Sequence, residues 1–227
     1  MTPIQLDDAL NDIGNAERFQ ADWASFLAYV PEIGSWRRWD KFRWKDDNDE
    51  AVRCAAFTAR QWFDDIAHET DQGRQKKLFA HAQRSCSANS LHNMINIART
   101  LRMTMPQREW DRDPLLLAVE NGVIDLRTGK PILPDQRQYI SRSAATKFSA
   151  DATAPNWCSF LDRIMAGNLA MIAFLQRAVG YSLTGDTREQ CAFIGWGFGA
   201  NGKSDFKETL RGLTASSLSS FRNSSCG

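Results

Sequence analysis

Apolar side chains recur at three- to four-residue spacing over much of the first hundred positions, and that period predicts helices. Residues 15–22 read as a short one. Over 48–70, Val52, Ala55, Ala56, Ala59, Trp62, Phe63 and Ile66 fall on one face. The acids in 46–50 suit the start of that helix, where the backbone dipole favours negative charge. A second helix is expected over about 72–85, with Leu78 and Phe79 facing inward. A third starts at an Asn89 or Ser90 cap, carries Leu91, Met94, Ile95, Ala98 and Leu101, and stops before Pro106.

Elsewhere the pattern is that of strands and turns. The apolar segment 25–30 ends at Pro31, and Trp36, Trp39 and Trp44 flank an Asp40-Lys41 turn, predicting a β-hairpin over 36–45. After Pro106, two apolar runs enclose Asn121-Gly122, a strong hairpin signal over 116–126. Residues 139–148 are a candidate further strand. Helices resume at Pro155, with Trp157, Phe160, Leu161 and Ile164, and again over 168–183, where Ile172, Phe174, Leu175, Val179 and Tyr181 are expected inside. Residues 190–195 form a short apolar run suited to a buried strand. The last stretch, 212–227, has six serines and few large apolar residues, and reads as a disordered tail.

The fold class expected is therefore α+β. A mainly helical N-terminal region with β-hairpins (1–187, helical block 48–104) leads into the first strand, loop and helix of an incomplete P-loop domain (188–211), and then the tail.

Charge narrows the function. Lys+Arg at 28 against Asp+Glu at 27 leaves +1, so any nucleic-acid contact must come from a local patch. Residues 35–45 supply one, with five cations and one acid: Arg37, Arg38, Lys41, Arg43 and Lys45. Interleaved with Trp36, Trp39 and Trp44, they suit phosphate contact with base stacking. The other reading is a Trp-cored hairpin with a solvated basic face, neutralised by the acids at 46–50.

Five cysteines without a CxxC indicate reduced thiols and a cytoplasmic setting. Cys158, with no histidine nearby in sequence, reads as a buried structural thiol. His68, His81 and His92 lack metal-ligand spacing. Asp111-Arg-Asp113, followed by Pro114, reads as a turn rather than a pair of catalytic acids. No apolar run approaches the ~18 residues of a membrane span, and the polar, acidic start is no secretory signal.

One motif carries chemistry. Gly197-Phe-Gly-Ala-Asn-Gly-Lys-Ser204 fits the phosphate-binding loop G-x-x-x-x-G-K-[ST]. Gly197, Gly199, Ala200, Asn201 and Gly202 would turn backbone N–H groups onto ATP phosphates at a helix N-terminus. Lys203 would reach the β- and γ-phosphates, and Ser204 would ligate Mg²⁺. Asp205 is unusual there; pointing outward, it would complement the helix dipole.

Several segments in order resemble the helicase part of phage and plasmid primase–helicases of superfamily 3. They are Trp36-x-x-Trp-Asp-x-x-x-Trp44, Asn121-Gly-Val-Ile-Asp-Leu-Arg-Thr-Gly129, Pro155-x-Trp-x-x-Phe-Leu161, Phe174-Leu-Gln-Arg-x-x-Gly-Tyr-x-Leu-x-Gly185, and the phosphate loop. Lys41 departs from that family, standing where the hairpin turn usually has Gly. The resemblance implies a hexameric AAA+ DNA helicase using ATP and Mg²⁺ on single-stranded or forked DNA, with the helical region as a collar. It also requires a Walker B acid, a sensor and an arginine finger, but only 24 residues follow Lys203. A βαβ unit takes about 30. The expectation is thus an N-terminal fragment inactive as an ATPase by itself. The alternative is a non-enzymatic DNA-binding or oligomerisation module.

Overall fold

Four polar side chains start the four helices of the first half. Asn11 accepts from Ile13 and Gly14 N–H at the head of α1 (Asp12–Trp23). Asp47 accepts from Glu50 N–H at α2 (Asn48–His68), Asp71 from Arg74 N–H at α3 (Gln72–Ser85), and Ser87 from Ser90 N–H at α4 (Ala88–Ala98). Each such cap is worth about 1 kcal/mol. The cap of α4 is thus Ser87, ahead of the expected Asn89 or Ser90. The computed structural model describes residues 10–196 and 201–214. It divides into one unit of residues 1–40 and 44–109 and another of 41–43 and 110–227.

In the first unit, β1 (Leu27–Val30), β2 (Ser35–Trp39) and β3 (Trp44–Asp46) form an antiparallel sheet in that order. The expected hairpin is its β2–β3 half, with Trp39 opposite Trp44. The apolar run before Pro31 adds β1, with Leu27 opposite Arg38. Lys41 takes φ +77° at the turn, a conformation that favours glycine.

The sheet packs on the helices around Trp36, whose indole is only 2% exposed and meets Phe19 of α1 edge-on at 6.1 Å. Its Nε1 is buried without an acceptor among the described residues. That omission costs about 1–3 kcal/mol, whereas burying an indole contributes roughly 4–6 kcal/mol. The apolar term wins.

The inner face of α2 is Ala51, Cys54, Ala55, Thr58, Ala59 and Trp62. That is rotated from the expected stripe: Val52 and Phe63 face solvent. Small residues are selected because α1, α4 and β2 all approach α2 closely. On α3, Leu78 is buried as expected, but Phe79 is exposed.

A buried polar network joins α1, α2 and α3. Trp62 Nε1 donates to Asn15 Oδ1 at 2.8 Å, and Asn15 Nδ2 donates to Ser85 Oγ at 2.9 Å. His81 Nε2 lies 3.0 Å from Asn15 Oδ1 and 3.2 Å from Ser85 Oγ.

In the second unit, β4 (Leu116–Val119), β5 (Gly122–Asp125) and β6 (Lys130–Ile132) form a second antiparallel sheet, with Leu117 opposite Ile124. The Asn-Gly hairpin is present, and β6 extends it. Residues 139–148 are not a strand. They run beside β4 through an isolated bridge, Ala118 to Ser143, and a side-chain clamp. Asn121 donates to Phe148 C=O at 2.9 Å and accepts from Phe148 N–H at 2.8 Å.

Asp111 and Asp113 do form a turn. Asp111 accepts from Ser141 N–H and Oγ and Arg142 N–H, and Asp113 pairs with Arg127 at 2.7 Å.

Three helices follow, α5 (Pro155–Ile164), α6 (Leu169–Leu183) and α7 (Lys203–Thr214). The side chains expected inside α6 are only partly covered, and Phe174 is exposed. Residues 190–196 hold no strand, because no neighbouring strand pairs with them among the described residues. Residues 212–214 close α7 rather than opening a tail, and the rest of the expected tail lies outside the described residues. Among the described residues the cysteines are unbridged; Cys158 is exposed rather than buried, while burial pushes the Cys54 thiol up to about 12. No described helix is long and apolar enough to cross a membrane.

Burial, aided by the nearby Arg84 charge and opposed by Asp12, lowers the His81 pKa below its ordinary 6.5. The unfolded chain therefore binds a proton, as pH falls through 6.5, that the folded chain refuses. Stability from this site is full above that value and is lost as pH falls through the lowered one. Urea unfolding followed by helical circular dichroism should show a lower midpoint near pH 5.5 than near pH 7.5. His81→Gln should flatten that difference.

Candidate nucleotide and nucleic-acid sites

Of the phosphate-loop motif, Asn201, Gly202, Lys203 and Ser204 are described; Gly197, Gly199 and Ala200 lie outside the described residues. The described half ends as the motif requires, in a helix N-terminus. Gly202 C=O accepts from Phe206 N–H at 3.0 Å, closing the first turn of α7. Gly202 has φ +79°, and a Cβ there would lie 2.8 Å from Ile164 Cγ2. Both conformation and space demand glycine. Lys203 Nζ donates to Asn201 Oδ1 at 2.7 Å, and Ser204 is exposed. Asp205 is also exposed in the first turn, where the dipole favours it.

Aromatic rings fix α7 from below. Trp157 stacks on Phe160 at 5.3 Å and on Phe206 at 5.6 Å. A cavity of about 670 Å³ opens beside them, lined by Leu161, Ile172, Leu175, Phe206 and Leu213 among others. Its walls are mostly apolar and include none of Asn201–Ser204.

The hairpin cations are placed differently from one another. Arg37 is buried and its Nε donates to Asp46 at 2.9 Å; Arg38 Nε donates to Asp47 at 3.1 Å. Lys45 pairs with Asp40, and Arg43 donates to Ser143 Oγ. Lys41 is exposed at the turn. Burial alone would raise the Asp47 pKa, but the Glu50 N–H and Arg38 outweigh it and lower it, keeping the carboxylate charged. Trp36 and Trp44 are buried, and Trp39 packs on Trp44 at 5.7 Å. Two of the three indoles thus serve as interior, and acids at 46 and 47 answer two of the cations.

A stronger charge signal lies elsewhere. From Gln72 to Arg108 the chain has seven Lys or Arg and no Asp or Glu, so this stretch carries +7 and the remainder −6. A window of ten residues around the hairpin does not show it; counting acids along the whole chain does.

The family model described as D5 N terminal like matches residues 16–166. A protein of Acanthamoeba polyphaga mimivirus named "Putative helicase L207/L206" is 24% identical, with the match covering 78% of this chain and 21% of that protein. The chain thus spans about a fifth of the length of the curated relative it matches.

Gly202→Ala forces a left-handed residue with a Cβ against Ile164, a strain of roughly 1–3 kcal/mol on the docking of α7. Limited proteolysis should cleave within 203–214 about ten-fold faster or more in this variant. Unchanged cleavage would show that the loop relaxes without cost.

Proposed function

The chain belongs to the D5 N-terminal-like family, and from that premise we propose that it is part of an ATP-dependent DNA helicase of the primase–helicase kind. The observation that carries the reading is the phosphate-loop motif ending in a left-handed Gly202 and opening α7 at Lys203. Backbone N–H groups at a helix start attract phosphate through both hydrogen bonding and the dipole. Lys203 would supply a cation for the β- and γ-phosphates, and the Ser204 hydroxyl would offer an oxygen to Mg²⁺.

In this reading Gly197, Gly199 and Ala200 complete the cradle, ATP with Mg²⁺ is the ligand, and single-stranded or forked DNA the polymer. A hexamer is the assembly that the resemblance implies. Hydrolysis also needs an acid that orients the attacking water and an arginine on the transferring phosphoryl group. The role proposed for this chain's residues is therefore phosphate binding, not turnover.

A second reading, a non-enzymatic nucleic-acid-binding or oligomerisation module, draws on the first unit. It has its own buried core, from Ala16 and Phe19 through Trp36 to Met94 and Met103.

Titration calorimetry with MgATP separates the two. The helicase reading expects binding that Lys203→Ala weakens ten-fold or more, and Ser204→Ala should remove the dependence of affinity on Mg²⁺. No measurable binding by the unmutated chain would leave the module reading standing.

A further inference from the structure

The surface of the first unit is laced with ion pairs, including Arg18–Asp65, Arg37–Asp46, Arg38–Asp47 and Arg74–Glu69. Against that background, Arg60, Lys76 and Arg84 are exposed and carry no ion pair among the described residues. They lie on α2 and α3, two adjoining helices that pack closely on one another. The same surface exposes two large aromatics, Phe63 at 37% and Phe79 at 49%, whose rings meet edge-on at 6.0 Å.

The spacing is regular. Phe63 follows Arg60 by three residues and Phe79 follows Lys76 by three, so each ring stands one turn from a cation. Helix α3 carries no acid between Gln72 and Ser85, within the acid-free run to Arg108. Asp64, exposed beside Phe63, is the nearest acid in sequence to either ring.

We propose that the paired rings Phe63 and Phe79, with Arg60 and Lys76 one turn from them, form a docking strip for single-stranded nucleic acid. Exposed rings offer π-faces to unpaired bases, and cations one turn away suit the phosphates between those bases. Single strands are favoured over duplex because an exposed ring pair has no partner on the outside of a base-paired helix. The identity of the polyanion rests on the helicase reading; the charge and exposure of the strip do not. The strip also differs from the β2–β3 hairpin, where Arg37 and Arg38 are held by Asp46 and Asp47.

The test is fluorescence anisotropy of a labelled oligothymidylate with the whole chain across a salt series. Arg60→Ala/Lys76→Ala should flatten the slope of log K against log salt by about 1.4, at about 0.7 per single-strand phosphate. Phe79→Ala should weaken binding roughly 5- to 100-fold with the slope unchanged. Arg37→Ala/Arg38→Ala should leave the slope as it was. All these positions but Arg37 lie outside the core, and circular dichroism checks folding; Lys76→Glu provides a second variant of the strip.

A wild-type slope in Arg60→Ala/Lys76→Ala, or a flattened one in the hairpin variant alone, overturns the proposal. So does an unmutated chain that binds no oligothymidylate. MgATP binding is read separately: its loss with DNA binding intact removes the phosphate-loop reading and leaves the strip, and the converse removes the strip alone.

Discussion

Trp36 has to be buried, and much of the first unit follows from where it goes. Its ring lies against Phe19 of α1 and at 5.4 Å from Tyr29 of β1. Its backbone is fixed as firmly: Trp36 N–H donates to Asn48 Oδ1 at 2.8 Å, and Asp47 N–H donates to Trp36 C=O at 2.9 Å. One residue thereby ties a strand to the start of α2. The register of β2 on β3 is then set, with Arg37 opposite Asp46 and Arg38 opposite Lys45. That register brings Arg37 to Asp46, while the tie to the start of α2 leaves Asp47 beside Arg38. A hairpin that reads as a basic patch in sequence becomes a set of local ion pairs in space. Arg60, Lys76 and Arg84, on α2 and α3, carry no ion pair among the described residues.

The second unit is built on a different balance. Its β4–β5 sheet is well buried at Leu116–Val119, and side chains of Asp111 and Asn121 hold the irregular run that follows. By contrast, α5 and α6 have no fully buried residue, and Phe193, Ile194 and Trp196 are exposed. Less apolar burial means less free energy holding these helices in place. The phosphate-loop helix α7 depends on a few aromatic contacts, chiefly Trp157 with Phe206, and on Gly202 fitting beneath Ile164.

Helices were the most legible part of the chain because their period survives imperfect faces. The bounds of α3 match the expected 72–85, and the cap and stop signals place α2, α5 and α6 closely. Which side faces in was less legible. Ala51, Ala55 and Ala59 lie inside α2 because neighbours approach it closely, a tertiary constraint that a hydrophobicity stripe does not encode. Phe79 is exposed for the converse reason: a large apolar residue on an outer face leaves no mark in the period. Strands failed where pairing was lacking. The run 190–195 has strand composition but no partner, whereas 27–30 became β1 because β2 was beside it. The G-x-x-x-x-G-K-[ST] pattern was legible because its residues are contiguous. The α2–α3 strip was not, because it joins residues from two helices.

The central claim is that the first unit is held by its own core around Trp36, while α5 and α6 are held by much less. Native-state hydrogen exchange measures this directly. Backbone amides inside α1, α2 and α4 should be the slowest and should exchange together, through unfolding of the first unit as a whole. Amides of α5 and α6 should exchange at least about a hundred-fold faster, through local opening. Protection in α6 as strong as in α2, or uniformly weak protection across α1, α2 and α4, would contradict the account.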